Sequence, residues 1–248
     1  MTNDHEQLRP TFRSHPLTDS ELHVWCAALN ASPNDLAYYS SILSSDEKAR
    51  AERFYFEIDR HHYIAGRGIL RSLVGGYLDI KPAQIEFVYG QYGKPALRDQ
   101  TLEFNLSHSM DMALYIFSLG HKVGIDIEFT HPMPEMDKFA AEHFTPGENK
   151  LIHSLPEAQK LDTFFKIWTC KEAFLKANGF GLTIPINQVE ISLDVENSAI
   201  LNVGAQNKEQ TQDWRLELLT PVDGYRAALA VKGFKGQVVF RELSDQFR

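Results

Sequence analysis

A short stretch that occurs twice constrains this chain more than any other feature. Lys81-Pro-Ala-Gln-Ile-Glu-Phe87 is echoed by Pro185-Ile-Asn-Gln-Val-Glu-Ile191, with Gln84 and Gln188 104 residues apart. Each copy follows a long helical pattern and a glycine break. A period this long is foreign to solenoids, whose units run to ~20–50 residues. It suits two similar α+β halves descended from a duplication, each a long helix packed on a small, mostly antiparallel sheet. The boundary falls near Gly120, dividing the chain into residues 1–120 and 121–248, and a cleft between the halves is the expected ligand site. A chain of 248 residues that is 43% hydrophobic has the apolar surface for such cores, and disorder and fibrous repeats are excluded.

Local patterning fills in the halves. Leu22–Ala27 reads as a strand, and Ser44-Ser45-Asp46-Glu47 supplies capping chemistry for one long helix running to the Gly75-Gly76 pair. Strands follow at Gln84–Val88, Leu102–Leu106 and Met112–Phe117, with a turn at Tyr92–Pro95. The second half opens with a strand at Val123–Phe129, continues with a helix over roughly Leu161–Lys176, and closes with strands at Val189–Leu193, Trp214–Leu218 and Tyr225–Val231. Cys26 and Cys170 have no metal-ligand or redox spacing, so both are expected to be buried thiols. The N-terminus lacks the pattern of a leader peptide, and no apolar run approaches the ~20 residues of a membrane span, which points to a soluble cytoplasmic protein.

The net charge is −8, yet Lys48, Arg50, Arg53, Arg60, Arg67 and Arg71 crowd one helical region against Glu52, Glu57 and Asp59. Without an overall basic balance or a nucleic-acid-binding motif, that patch suits a small phosphorylated ligand better than nucleic acid.

Three acids stand out. Asp126 and Glu128 lie on one face of the strand Val123–Phe129, ~6.6–7 Å apart along it, a spacing at which two carboxylates repel unless water or a cation intervenes. Glu172 falls on the stripe Leu161, Phe165, Trp168, Glu172, Leu175, which is otherwise apolar. A carboxylate there needs a partner, and a helix pair with Lys176 supplies only ~0.3–0.5 kcal/mol. A divalent cation held by Asp126, Glu128 and Glu172 accounts for all three, provided that helix packs on strand; magnesium takes such hard oxygen ligands and keeps places for phosphate. Ser107-His108-Ser109, read as a turn at a strand end, lacks the glycines of a hydrolase elbow and offers donors to phosphate oxygens instead. Gly93-Lys94-Pro95 reads as a fixed turn presenting one lysine as a phosphate clamp.

In order along the chain, Gly93-Lys-Pro95, Phe104-Asn-Leu-Ser-His-Ser109, Gly124-Ile-Asp-Ile-Glu128 and Trp168-Thr-Cys-Lys-Glu-Ala-Phe-Leu-Lys176 resemble the signature motifs of the 4'-phosphopantetheinyl transferases, of the surfactin-type (Sfp-like) subfamily. The resemblance implies a pseudo-dimer of two α+β halves with coenzyme A in the cleft. It implies transfer of the phosphopantetheine arm of coenzyme A, the co-substrate, to a serine of an acyl, peptidyl or aryl carrier domain, releasing adenosine 3',5'-bisphosphate. By the same resemblance Asp126, Glu128 and Glu172 hold Mg²⁺ (or Mn²⁺), and Asp126 and Glu172 are catalytic, Glu172 or a water it orients serving as base. The resemblance also implies that Lys94 with Pro95, Ser107 with His108, Lys176 and Arg50 line the nucleotide and its phosphates; Lys171, whose neighbour Glu172 faces inward, is expected to face water. The enzyme is expected to act as a monomer. Two rivals remain open on the residues alone: a metal-dependent phosphodiesterase using the same acids, and a binding module without catalysis.

Overall fold

Two 22-residue helices, Glu57–Leu78 and Glu157–Asn178, organise the structure, a computed structural model that describes residues 16–90, 93–99, 102–179, 185–193, 199–203 and 213–243. The first half contains β1 (Glu21–Ala28), α1 (Pro33–Ile42), α2 (Ser45–Ala51), α3 (Glu57–Leu78), β2 (Phe87–Tyr89), β3 (Pro95–Leu97), β4 (Glu103–Ser109) and β5 (Met112–Ser118). The second contains β6 (Val123–Phe129), α4 (Met136–His143), α5 (Pro146–Ser154), α6 (Glu157–Asn178), β7 (Val189–Leu193), β8 (Ala199–Val203), β9 (Trp214–Leu219), β10 (Tyr225–Lys232) and β11 (Gln237–Glu242).

The same topology is written twice. In one sheet β5 pairs antiparallel with β1 and β4; in the other β10 pairs antiparallel with β6 and β9. Each long helix leads into a single 3-10 turn, Pro82–Gln84 or Ile186–Gln188, and then a two-stranded ribbon, β2–β3 or β7–β8. The echoed sequence is therefore one structural element used in both halves. One strand breaks the equivalence: β11 returns to the first sheet and pairs parallel with β1, giving the order β11-β1-β5-β4.

Strand alternation builds four layers, helix on sheet on sheet on helix. On β1, Trp25 and Ala27 face α3 while Leu22, Val24 and Cys26 face the second sheet. Ile125 and Ile127 of β6, with Leu229 and Val231 of β10, meet them there. The other face of β10 presents Ala228 and Ala230 to α6, and Gly124 of β6 lets that helix approach so closely that a β-carbon would overlap the Ala173 carbonyl.

The single helix expected from Ser44 to Gly75 is two helices. Ser44 and Glu47 do form a capping box, but Glu47 also reaches Arg67 and Arg71 of α3, each at 2.5 Å. In one continuous helix, positions 47 and 67 would lie about 30 Å apart. The chain must therefore fold back, and it does so through extended backbone at Phe56.

The second half repeats this device. Glu148, in the capping box of α5, pairs at 2.8 Å with Lys171 of α6, and both side chains are buried. Arg71 Nη1 donates to the carbonyls of Pro82 (3.1 Å) and Ile85 (2.8 Å), just as Lys171 Nζ donates to those of Ile186 (3.0 Å) and Val189. A buried cation thus pins each echoed segment to its helix. Lys171, expected to face water, is wholly internal, because the carbonyls of the 3-10 turn and the Glu148 carboxylate need a donor there. Burial pulls the Lys171 ammonium below its ordinary pKa, and Glu148 opposes that pull. Removing the carboxylate alone leaves a buried charge uncompensated, so Glu148→Ala should cost about 3–5 kcal/mol in denaturant unfolding. Glu148→Ala combined with Lys171→Met should recover part of that loss, and a single variant as stable as the parent would contradict the assignment.

Candidate active site

The outer edges of the two sheets meet where β4 runs beside β6, and the contact is made by side chains. Asn105 Oδ1 accepts from Ile125 N at 3.0 Å, and Ser109 Oγ accepts from Phe129 N at 3.1 Å. Between them, Ser107 Oγ donates to Asp126 Oδ1 (2.8 Å), and Ser109 Oγ also donates to Glu128 Oε2 (2.9 Å). Every second residue of β4 therefore serves β6, as strand periodicity requires. Ser107, His108 and Ser109 are the last three residues of β4 rather than the turn expected there.

A cavity of about 1020 Å³ opens at this seam. Arg50, Lys94, Pro95, Ser107 and His108 line it from the first half, and Asp126, Glu128, Glu172 and Lys176 from the second. α6 lies across β6, which brings Glu172 to the same space as the two strand carboxylates. Asp126 is 2% exposed. Its Oδ1 accepts from Lys176 Nζ at 2.6 Å, and Lys176 Nζ also donates to Ser107 Oγ at 2.9 Å. Lys176 is thus the counter-ion of Asp126.

All three carboxyls are raised above the ordinary range, each chiefly by burial. For Glu128 and Glu172 the next cause is repulsion from Asp126. Lys176 opposes the rise at all three, and the Ser109 hydroxyl and Trp168 indole, donating to Glu128, oppose it there. Among the described residues, no three His, Cys, Asp or Glu side chains are drawn into a closed ligand set, so the carboxylates share one cavity without yet converging. Their chemistry fits a hard cation nonetheless: Asp126 Oδ2 is buried and accepts no hydrogen bond.

Lys94 was expected to project from a turn. Its Nζ instead spans the halves, donating to the carbonyls of Val123 (3.2 Å) and Lys176 (2.9 Å). Several lining residues escaped the sequence reading. Arg67 borders the cavity while paired with Glu47, and its Nη2 donates to the Tyr89 hydroxyl at 2.9 Å. Phe54, His62 and Tyr63 add an aromatic wall. The signal that would have found Asn105 was present: a polar residue at every second position from 105 to 109 marks one face of a strand.

The helix–sheet–sheet–helix duplication with a carboxylate-lined cavity at its seam belongs to a class of two-half enzymes. The chain belongs to the 4'-phosphopantetheinyl transferase superfamily: the profile of that superfamily matches residues 122–230, and the profile described as 4'-phosphopantetheinyl transferase, N-terminal, matches residues 27–117. It is 42% identical to 4'-phosphopantetheinyl transferase HetI of Nostoc sp. over 90% of this chain and 93% of that protein. It is 29% identical to 4'-phosphopantetheinyl transferase Sfp of Bacillus subtilis over 62% of this chain and 68% of that protein. Among solved structures, holo-[acyl-carrier-protein] synthase of Thermotoga maritima matches 46% of this chain and 64% of its own, at 25% identity and a TM-score of 0.36.

Burial pushes the Lys94 ammonium down to about 8 from 10.5. The folded protein therefore holds Lys94 neutral where the unfolded chain still charges it, and folding gains stability as pH rises between those values. Relative to Lys94→Met, the native protein should become more stable by about 2–3 kcal/mol from pH 8 to pH 10.5, as read from urea midpoints. A constant difference across that window would show that Lys94 keeps its charge in the folded state.

Proposed function

We propose that this protein transfers the 4'-phosphopantetheine arm of coenzyme A to a serine of an apo carrier protein, giving the holo carrier and adenosine 3',5'-bisphosphate. One observation carries the reading: a single cavity in a member of this family unites a buried acid bearing an orphan oxygen, two further acids and basic side chains from both halves. The halves 1–120 and 121–248 supply different parts of it, phosphate contacts from the first and carboxylates from the second. The enzyme acts as a cytoplasmic monomer.

In this mechanism Arg50, Lys94, the pair Ser107 and His108, and Lys176 receive the phosphates of coenzyme A. Asp126, Glu128 and Glu172 would hold Mg²⁺ or Mn²⁺, which when bound supplies positive charge against the diphosphate. Ser107 and Lys176 fix the Asp126 carboxylate, and Ser109 and Trp168 fix that of Glu128. Glu172 accepts the proton of the carrier serine, whose Oγ forms a bond to the phosphorus carrying pantetheine. The phosphoanhydride bond to that phosphorus breaks, and its electrons leave with adenosine 3',5'-bisphosphate. Since the nucleophile belongs to the partner, no serine of this chain is consumed.

Intact mass of an apo acyl carrier protein after incubation with coenzyme A and Mg²⁺ is the direct test. A gain of one phosphopantetheine unit, abolished by EDTA, is expected; release of adenosine 3',5'-bisphosphate without any carrier would instead mark a phosphodiesterase. Glu172→Gln keeps the size of the side chain and removes the base. It should lower kcat by at least about a hundredfold while coenzyme A binding by calorimetry and the melting temperature change little. Near-normal turnover would remove Glu172 from the mechanism.

A further inference from the structure

The turn that folds α2 back onto α3 exposes an aromatic run. Tyr55 is 92% exposed, Phe56 62% and Ile58 53%. Tyr55 and Phe56 pack edge to face at 5.0 Å between centroids, so they present a preformed ridge. Clustered apolar exposure of this kind marks an interaction site in a soluble protein.

The ridge is continuous with the mouth of the cavity. Phe54, the residue before it, lines the cavity and packs on Tyr63 at 5.3 Å. Ile58 shares a helix face with His62, one turn on, which also lines the cavity. His62 Nε2 lies 3.0 Å from Asn30 Oδ1, and Asn30 Nδ2 donates to Asp111 Oδ2 at 3.3 Å. Asp111 adjoins Met110, 64% exposed, which follows Ser109, the residue that holds Glu128. Met110 therefore borders the carboxylate end of the cavity, where an incoming hydroxyl has to arrive, and the ridge of Tyr55, Phe56 and Ile58 adjoins the cavity wall at Phe54 and His62. Lys48, Arg50 and Arg53, all exposed, precede or adjoin the ridge in sequence, with the exposed acids Glu52, Glu57 and Asp59 interspersed, in a chain whose net charge is −8.

We infer that Tyr55, Phe56, Ile58 and Met110 form the docking surface for the carrier domain. The matching partner carries apolar side chains beside its acceptor serine and an acidic rim facing Lys48 and Arg53. This rests on the proposed transfer reaction, because only a macromolecular nucleophile needs a wide apolar landing beside the acids. The ridge supplies contact area and the basic flank steers approach, so a protein with a repulsive overall charge still captures an acidic partner locally.

The test uses the full chain and the double variant Tyr55→Ser/Phe56→Ser, which leaves every cavity-lining residue in place. With an apo acyl carrier protein varied at saturating coenzyme A, its KM should rise about tenfold or more, while kcat and the KM for coenzyme A stay within about twofold. Arg53→Glu should raise the carrier KM at low salt and lose most of that effect at high salt. An unchanged carrier KM, or a parallel rise in the KM for coenzyme A, would overturn the inference. So would a parent protein that is dimeric by light scattering and a variant that is monomeric with normal carrier kinetics, since the ridge would then serve a second copy of the chain. Should the parent load no carrier at all, the transferase reading fails on its own. Anisotropy of labelled apo carrier then still decides the surface: weaker binding by the double variant supports it and equal binding overturns it.

Discussion

The seam between β4 and β6 is the interaction on which the rest of the architecture turns. Two sheet edges come side by side there, and main-chain donors of β6 are met by Asn105 and Ser109 rather than by a continuous ladder. A full ladder would have merged the sheets into one closed surface. With side-chain bridging in place of a ladder, Asp126 and Glu128 line the cavity at the seam, Asp126 deeply buried in its wall. The same bridges satisfy groups whose burial without partners would cost about 1–3 kcal/mol each. Lys94 reinforces the junction by donating to carbonyls on both β6 and α6. Packing between the halves and the formation of the site are thus one event.

Duplication alone would produce two such sites, and the register explains why one is sealed. His23 of β1 touches Tyr77 of α3, whereas Gly124 of β6 abuts Ala177 of α6. Arg71 and Lys171 occupy matching places under the two echoed segments. These correspondences set Trp25 where the second half has Asp126, and Ser72 where it has Glu172. Trp25 fills its position, is fully buried and donates through Nε1 to the Tyr77 hydroxyl at 2.8 Å; Ser72 returns its hydroxyl to the Gly68 carbonyl at 2.9 Å. The first helix–sheet interface is therefore a closed apolar core, and the second retains the acids.

Local pattern made legible whatever depended on nearest neighbours. The bounds of β6 and β7, the shared face of Asp126 and Glu128, and the repeat that divides the chain all follow from alternation or self-similarity. What escaped depends on contacts distant in sequence. β11 is half exposed and is held by β1, more than two hundred residues away, so its own pattern says little. α1, α4 and α5 are 10, 8 and 9 residues long and bury few side chains, too short for a stripe to show, although Thr145-Pro-Gly-Glu148 carried a capping signal. Helical spacing gave the inward face of Glu172 correctly but could not reveal that its neighbour Lys171 is also internal, since that follows from Glu148 on another helix.

The charge balance of the cavity explains how the fold tolerates its acids before any ligand arrives. Asp126 is the most deeply buried of the three and alone among them receives a direct ion pair, from Lys176. Glu128 borrows neutral donors from Ser109 and Trp168, which moderate its charge without cancelling it. Glu172, raised chiefly by burial and then by repulsion from Asp126, is moderated only by the fields of Lys176 and His143. One lysine therefore serves three carboxylates, pairing directly with Asp126 alone, whose Oδ2 still lacks a hydrogen-bond partner. Lys176 Nζ, shared between Asp126 Oδ1 and Ser107 Oγ, is the positive charge that the folded chain itself places among these acids. That ion pair offsets part of the cost of burying Asp126, which is how the fold carries an acid at the cavity's innermost wall.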